Sequence, residues 1–104
     1  MAATIAPAAL KSLLTGKEPF ALIDVREAGE YNSSHIPGAS LIARRQLELQ
    51  APQAMPFKGT PIVVCDDDGR RARLAAGTLE RMGYRQVSVL DGGINRWVTD
   101  GLET

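Results

Sequence analysis

The sequence is short of the side chains that anchor metals and cross-links, with one cysteine and one histidine among 104 residues. One cysteine excludes an internal disulfide framework and any cysteine-rich zinc site. One histidine excludes a His-rich metal centre and a mechanism built on a histidine pair. Long apolar runs are missing too, since nothing approaches the roughly 20 residues that cross a bilayer. Residues Met1 to Ala6 hold no Lys or Arg and no long apolar segment. They do not read as an export signal, and a cytoplasmic location is the expectation. Neither sign of charge is in excess: twelve Lys+Arg balance twelve Asp+Glu. That balance argues against a nucleic-acid partner and against a polybasic membrane patch. No internal repeat or low-complexity tract is present.

What is there suits one globular domain over residues 1–104, with 44% hydrophobic and 23% charged residues. The chain stops directly after Gly101-Leu102-Glu103-Thr104, as one domain cut from a longer multidomain protein also would. Pro7 to Leu14 predicts a short helix, with proline in the first turn and Gly16 as the stop. Phe20 to Val25 is a short apolar run, read as a buried strand. Glu27 to Tyr31 suits one helical turn, and Asn32, Ser33, Ser34 and Pro37-Gly38 mark turns. Ala39 to Ile42 suits a short strand and Arg44 to Leu49 a weak helix. Ala51 to Lys58, with two prolines, reads as a loop. Pro61 to Cys65 is continuous and β-branched, the signature of a strand buried on both faces. Arg70 to Met82 predicts the strongest helix, with Leu74, Ala75, Thr78, Leu79 and Met82 on one apolar face and Gly83 beyond its end. Val87 to Leu90 is a strand, Asp91-Gly92-Gly93 a turn, and Ile94 to Thr99 a terminal helix. Strands alternating with helices argue for an α/β domain with a largely parallel sheet.

In such sheets ligands bind beyond the carboxyl ends of the strands, where loops feed helix N-termini. The segment in that place is Asp66-Asp67-Asp68-Gly69-Arg70-Arg71. Converging backbone N–H groups and the helix dipole favour an anion there. Three chemistries compete for it. First, Asp66-Asp67-Asp68-Gly69 resembles the Asp-x-Asp-Gly opening of haloacid-dehalogenase-type phosphatases, whose first carboxylate is the nucleophile and helps hold Mg²⁺. Only that short motif matches, and no lysine follows it. Second, Cys65 and Arg71 have the Cys-x5-Arg spacing of a phosphate loop with a thiolate nucleophile. Three carboxylates would then stand where a dianion must sit, raising the thiol pKa. Cys65 also continues an apolar strand, as a small buried residue does.

The third reading comes from a resemblance. Leu22-Ile23-Asp24-Val25-Arg26-Glu27 with Glu30-Tyr31, His35-Ile36-Pro37-Gly38-Ala39, Gly69-x-Arg71, Gly83-Tyr84, Val87-x-Val89-Leu90 and Gly92-Gly93-Ile94 with Trp97 occur in order. Together they resemble the rhodanese homology domain, from about residue 4 to residue 101. The resemblance implies a small three-layer α/β domain, its central, mostly parallel sheet flanked by helices. It implies no cofactor or metal. Active members of that family move a sulfane sulfur from thiosulfate or another donor through a cysteine persulfide. Members without the cysteine serve as regulatory or interaction modules. The active-loop pattern of the family is Cys-x-x-Gly-x-Arg-Ser/Thr. With Gly69 and Arg71 in frame, the nucleophile position holds Asp66, and the small hydroxyl position holds Ala72. Strand alternation supports the same frame, because a one-residue slip would reverse the faces of the strand.

On this reading the Asp66 carboxylate accepts the cradle's N–H bonds, either as a built-in substitute for the sulfur anion or as a helix N-cap. Sulfur transfer at this loop is then expected to be absent, and the domain serves as a structural, regulatory or recognition module. The alternative is a thiosulfate sulfurtransferase using Cys65. Asp67 and Asp68 repel thiosulfate, while Arg70, Arg71 and Arg73 partly offset them; the mixed charges equally suit a solvated surface network. Asp24 is expected to bond loop amides, with Arg26 paired to Glu30 or another acid. His35 is expected to be a hydrogen-bonded loop residue that helps build the fold around the site, and Trp97 to pack a core edge. Arg44 and Arg45 suit a solvated helix end or the attraction of an acidic partner. Expected partners are a protein or a sister rhodanese domain, and a small anion at the loop.

Overall fold

The structure, a computed structural model, describes residues 3–104. The elements run β1 (Ala3–Ile5), α1 (Pro7–Thr15), β2 (Ala21–Asp24), α2 (Ala28–Ser33), β3 (Ser40–Leu41), a 3-10 turn (Arg44–Gln46), α3 (Leu47–Ala54), β4 (Ile62–Cys65), α4 (Arg70–Arg81), β5 (Val87–Leu90) and α5 (Gly93–Thr99). All five strands are parallel, in the order β1-β5-β4-β2-β3. The sheet is the middle of three layers, as the resemblance implied.

Strand alternation divides the core in two. Ile62 and Val64 of β4 point to one face, with Val87 and Val89 of β5 and Ile23 of β2. There they meet Leu47 and Ala51 of α3 and Ala72, Ala75, Ala76 and Leu79 of α4. Val63 and Cys65 point to the other face, with Leu22 and Leu90, against Leu10 of α1 and Ile94 and Trp97 of α5. Burial on both faces is why β4 is apolar without a break. The alanines of α4 let that helix lie close to the sheet, and they turn Leu74, expected on the apolar face, out to solvent.

Two segments depart from the sequence reading. Residues Ala3–Ile5 form an edge strand beside β5, paired from Ala3↔Ser88 to Ile5↔Leu90, where no strand was expected. Ala51–Ala54, expected within a loop, belong to α3 despite Pro52. Pro52 sits late in the helix, and the N–H that it lacks costs one bond to the preceding turn. Burial of Leu47 and Ala51, both fully enclosed, outweighs that loss. The Tyr84 hydroxyl completes the helix end, lying 3.1 Å from the Ala51 carbonyl and 2.6 Å from that of Met55.

Replacing Tyr84 with Phe keeps the buried ring but removes the donor to the Met55 carbonyl, while the Ala51 carbonyl keeps the Met55 N–H. We expect a loss of about 1–3 kcal/mol in urea unfolding. An unchanged midpoint would show that the hydroxyl does not hold α3.

Candidate functional site

β4 ends at Cys65, which pairs in register with Asp24 at the end of β2. The chain then turns through residues 66–69 into α4. Gly69, at φ 101°, takes the left-handed conformation that lets the turn close. Asp66 is fully buried in this turn. Its Oδ1 accepts the Gly69 N–H at 2.5 Å; its Oδ2 accepts the N–H groups of Arg71 at 2.8 Å and Ala72 at 3.2 Å. The carboxylate thus fills the focus of the inward-pointing amides. Burial pushes its pKa up, and the three N–H bonds only partly counter that, so the net direction is upward.

Asp67 and Asp68 turn to the surface side. Asp67 accepts the Asp68 N–H and pairs with Arg71 at 3.2 Å, and Asp68 accepts the Arg70 N–H. Burial raises the Asp67 pKa, but the bond and charge of Arg71 outweigh it and set it below the usual carboxylate range. Oxygens of Asp66, Asp67 and Asp68 lie within 4.8 Å of one another. That spacing suits a cation, but both Asp66 oxygens already accept backbone protons, and Arg71 supplies the positive charge beside Asp67. The donor set therefore does not fit a Mg²⁺ ion bound through Asp66, as the phosphatase reading requires.

Arg71 also makes a two-pronged pair with Glu30 of α2, at 2.8 and 3.1 Å. This pair, with the Glu27 N–H, holds the Glu30 carboxyl down at about 2. Glu30 is thus the acid that ties α2 to the loop. The sequence expectation assigned it, or another acid, to Arg26. For Arg26 that other acid is Asp24, two residues away, bonded through Nε at 3.0 Å and Nη2 at 2.8 Å. Asp24 also accepts the Arg26 N–H, and Arg26 Nη2 donates to the Ser34 carbonyl. Both side chains are buried, and the bond to Ser34 ties the β2 end to the C-terminal end of α2. His35 Nδ1 lies 2.8 Å from the Tyr31 carbonyl, and its ring stacks on Tyr31. It lines the α2 exit rather than the loop centre. Arg45 pairs with Glu27 on the surface, and Trp97 is buried in the core.

Cys65 is fully enclosed in the apolar cluster beneath α1 and α5. Burial, then the Asp24 charge, pushes its thiol well above the ordinary range. It offers neither a thiolate nor access to the cradle.

One positioning feature went unseen in the sequence beyond a tight turn at Gly92-Gly93. The N-terminus of α5 grips the loop from behind: Ile94 N–H donates to the Asp66 carbonyl at 2.8 Å and Asn95 N–H to that of Asp67 at 3.0 Å. Gly93 makes this approach possible. A Cβ there would collide with the Asp67 carbonyl and come within 2.7 Å of the Asp68 nitrogen. The paired glycines were the available signal, but their contact is long-range.

A match to the Rhodanese-like domain covers residues 6–100. The chain belongs to the rhodanese-like family. This rhodanese-like domain is 30% identical over 89 residues to YrkF of Bacillus subtilis, provisionally named a sulfur carrier protein; the match covers 86% of this chain and 47% of YrkF. It is 33% identical to the probable adenylyltransferase/sulfurtransferase MoeZ of Mycobacterium tuberculosis, over 90% of this chain and 24% of MoeZ. Among solved structures, the thiosulfate sulfurtransferase of Pseudomonas aeruginosa superposes with a TM-score of 0.89 at 33% identity, over 95% of this chain and 19% of that one. A rhodanese-like domain from Anabaena sp. superposes at 0.86 and 29% identity, covering 99% and 78%. The domain spans about half the length of YrkF and about a quarter of MoeZ, and the names of these two relatives are sulfur-carrier or sulfurtransferase names. No helix among the described residues is long and apolar enough to cross a membrane.

Substituting Asp66 with Ala removes the acceptor of three N–H groups, two of them in bonds that are fully buried. We expect the variant to lose at least about 2 kcal/mol in urea unfolding. A change below a few tenths would show that the carboxylate is not what closes the turn. Gly93→Ala should loosen the loop without touching its side chains, seen as faster amide exchange at Gly69, Arg71 and Ala72. Unchanged exchange there would remove α5 from the support of the loop.

Proposed function

We propose that this domain is a rhodanese-like module that does not carry sulfur at its own loop. It acts instead in structure, regulation or recognition, beside a protein partner or a sister sulfurtransferase domain. The observation that carries this reading is the buried Asp66 carboxylate bonded to the Gly69, Arg71 and Ala72 amides. In a sulfur-carrying loop those amides would stabilise a persulfide anion. A carboxylate has no sulfur to accept a sulfane atom. Its negative charge, the half-buried Asp67 and the exposed Asp68 also oppose the approach of thiosulfate or any other small dianion.

The second reading, transfer through Cys65, has only the presence of a thiol in its favour. That thiol is the last residue of a central strand and is fully enclosed. To react it would have to leave the sheet and displace Asp66.

Purified protein should convert thiosulfate and cyanide to thiocyanate and sulfite no faster than buffer does. Its intact mass should be unchanged after thiosulfate treatment. Turnover that disappears in Cys65→Ser, or the gain of one sulfur atom, would establish the second reading in place of the first.

A further inference from the structure

The solvent face of α4 has no role in the loop or the core. Along it run Arg70, Arg73, Leu74, Gly77 and Arg81, at the spacing of one helical stripe. Among the described residues, no carboxylate pairs with Arg70, Arg73 or Arg81. Arg71, on the flank of the same helix, is held by both Glu30 and Asp67. Leu74 lies between the free arginines and is 66% exposed. Gly77 leaves a flat spot beside it, where an added Cβ would meet only the end of the Arg81 side chain. Three of the four large exposed hydrophobics, Leu49, Phe57 and Leu74, lie on α3, just after it, or on α4. Single exposed apolar residues and single solvated arginines are ordinary. Three arginines without a carboxylate partner, one of them bonded to the Thr78 hydroxyl, frame one exposed leucine along a helix stripe and form a patterned surface instead.

We propose that this stripe docks an acidic protein segment carrying one apolar anchor. The proposal rests on the reading of the domain as a recognition module. Carboxylates on the partner would pair with Arg70, Arg73 and Arg81, whose planar guanidinium groups suit two-pronged bonds. The anchor would cover Leu74, and Gly77 would admit the partner backbone. Glu80 at the margin of the stripe and Asp68 at its head oppose such a charge, so the acids of the partner face Arg73 and Arg81 most directly. A nucleic acid fits less well. The chain carries no net positive charge, and Leu74 would gain nothing from phosphates.

The test is an amide NMR titration of the labelled domain with a synthetic peptide of about twelve residues, glutamates and aspartates around one leucine. A peptide with lysines in place of the acids and a polyuridylate RNA serve as comparisons. The acidic peptide should shift amides 70–81, and raising the salt should weaken it. Arg70→Glu with Arg73→Glu should weaken it by about tenfold or more, the factor set by losing charge-assisted bonds. Leu74→Ser should weaken it while leaving its salt dependence in place. The proposal is overturned if the acidic peptide shifts no α4 amide, or if the charge reversal leaves binding unchanged. Tighter binding of the RNA, or self-association of the domain through the same amides, also overturns it. Sulfur transfer by the unmodified domain would overturn the module reading, whereas a missing peptide shift without such transfer overturns the docking alone.

Discussion

Backbone N–H groups buried at a tight strand-to-helix turn must find an acceptor, because leaving even one unpaired costs about 1–3 kcal/mol. At the exit of β4, three such groups point at one spot. In this chain the acceptor is covalently part of the turn: Asp66 sits where the amides converge and satisfies all three. Much of the surrounding geometry serves that arrangement. Gly69 supplies the left-handed residue that lets the turn close. Gly93 lets α5 approach near enough to hold the loop carbonyls from behind. Arg71 ties the loop to α2 through Glu30 and balances Asp67 at the surface.

A cradle of amides does not choose its anion by element; it stabilises whichever negative charge the chain or a ligand places there. Family membership therefore carries the fold further than it carries the chemistry. The same scaffold that would stabilise a transferable sulfur here stabilises a fixed oxygen pair. The only thiol, Cys65, belongs to the packed interior, one residue too early and on the far side of the sheet from α4. Under the proposed module reading, the work falls to the outer surfaces of the domain rather than to the loop. Of these, the arginine–leucine stripe of α4 leads directly away from the loop.

The continuous β4 run was legible because it follows from local pattern and burial, and so was α4 as a helix, but its face was read partly wrong: Leu74 lies on the solvent side, and Ala72 and Ala76 take core positions instead. The loop frame was legible from Gly69 and Arg71, and with it the placement of Asp66. The edge strand β1 was not, since three mostly exposed residues carry no periodic signal and pair only through β5. α3 was obscured by Pro52, whose local cost is overcome by packing on α4 and by the Tyr84 hydroxyl from a distant turn. Of the acids left open for Arg26, the structure takes Asp24 rather than Glu30. At a strand end, a neighbour two residues back curls onto the same side, and Glu30 is drawn off by an arginine 41 residues away. Contacts that span the fold leave little trace in a single sequence.

The most direct measurement of the central claim follows the amide protons of Gly69, Arg71 and Ala72 by NMR while thiosulfate or sulfate is added. If the Asp66 carboxylate already occupies the cradle, these protons stay strongly hydrogen-bonded and do not move at any concentration of either anion. Saturable shifts confined to those three amides would mean that the cradle is open to an outside ligand, and would contradict the account.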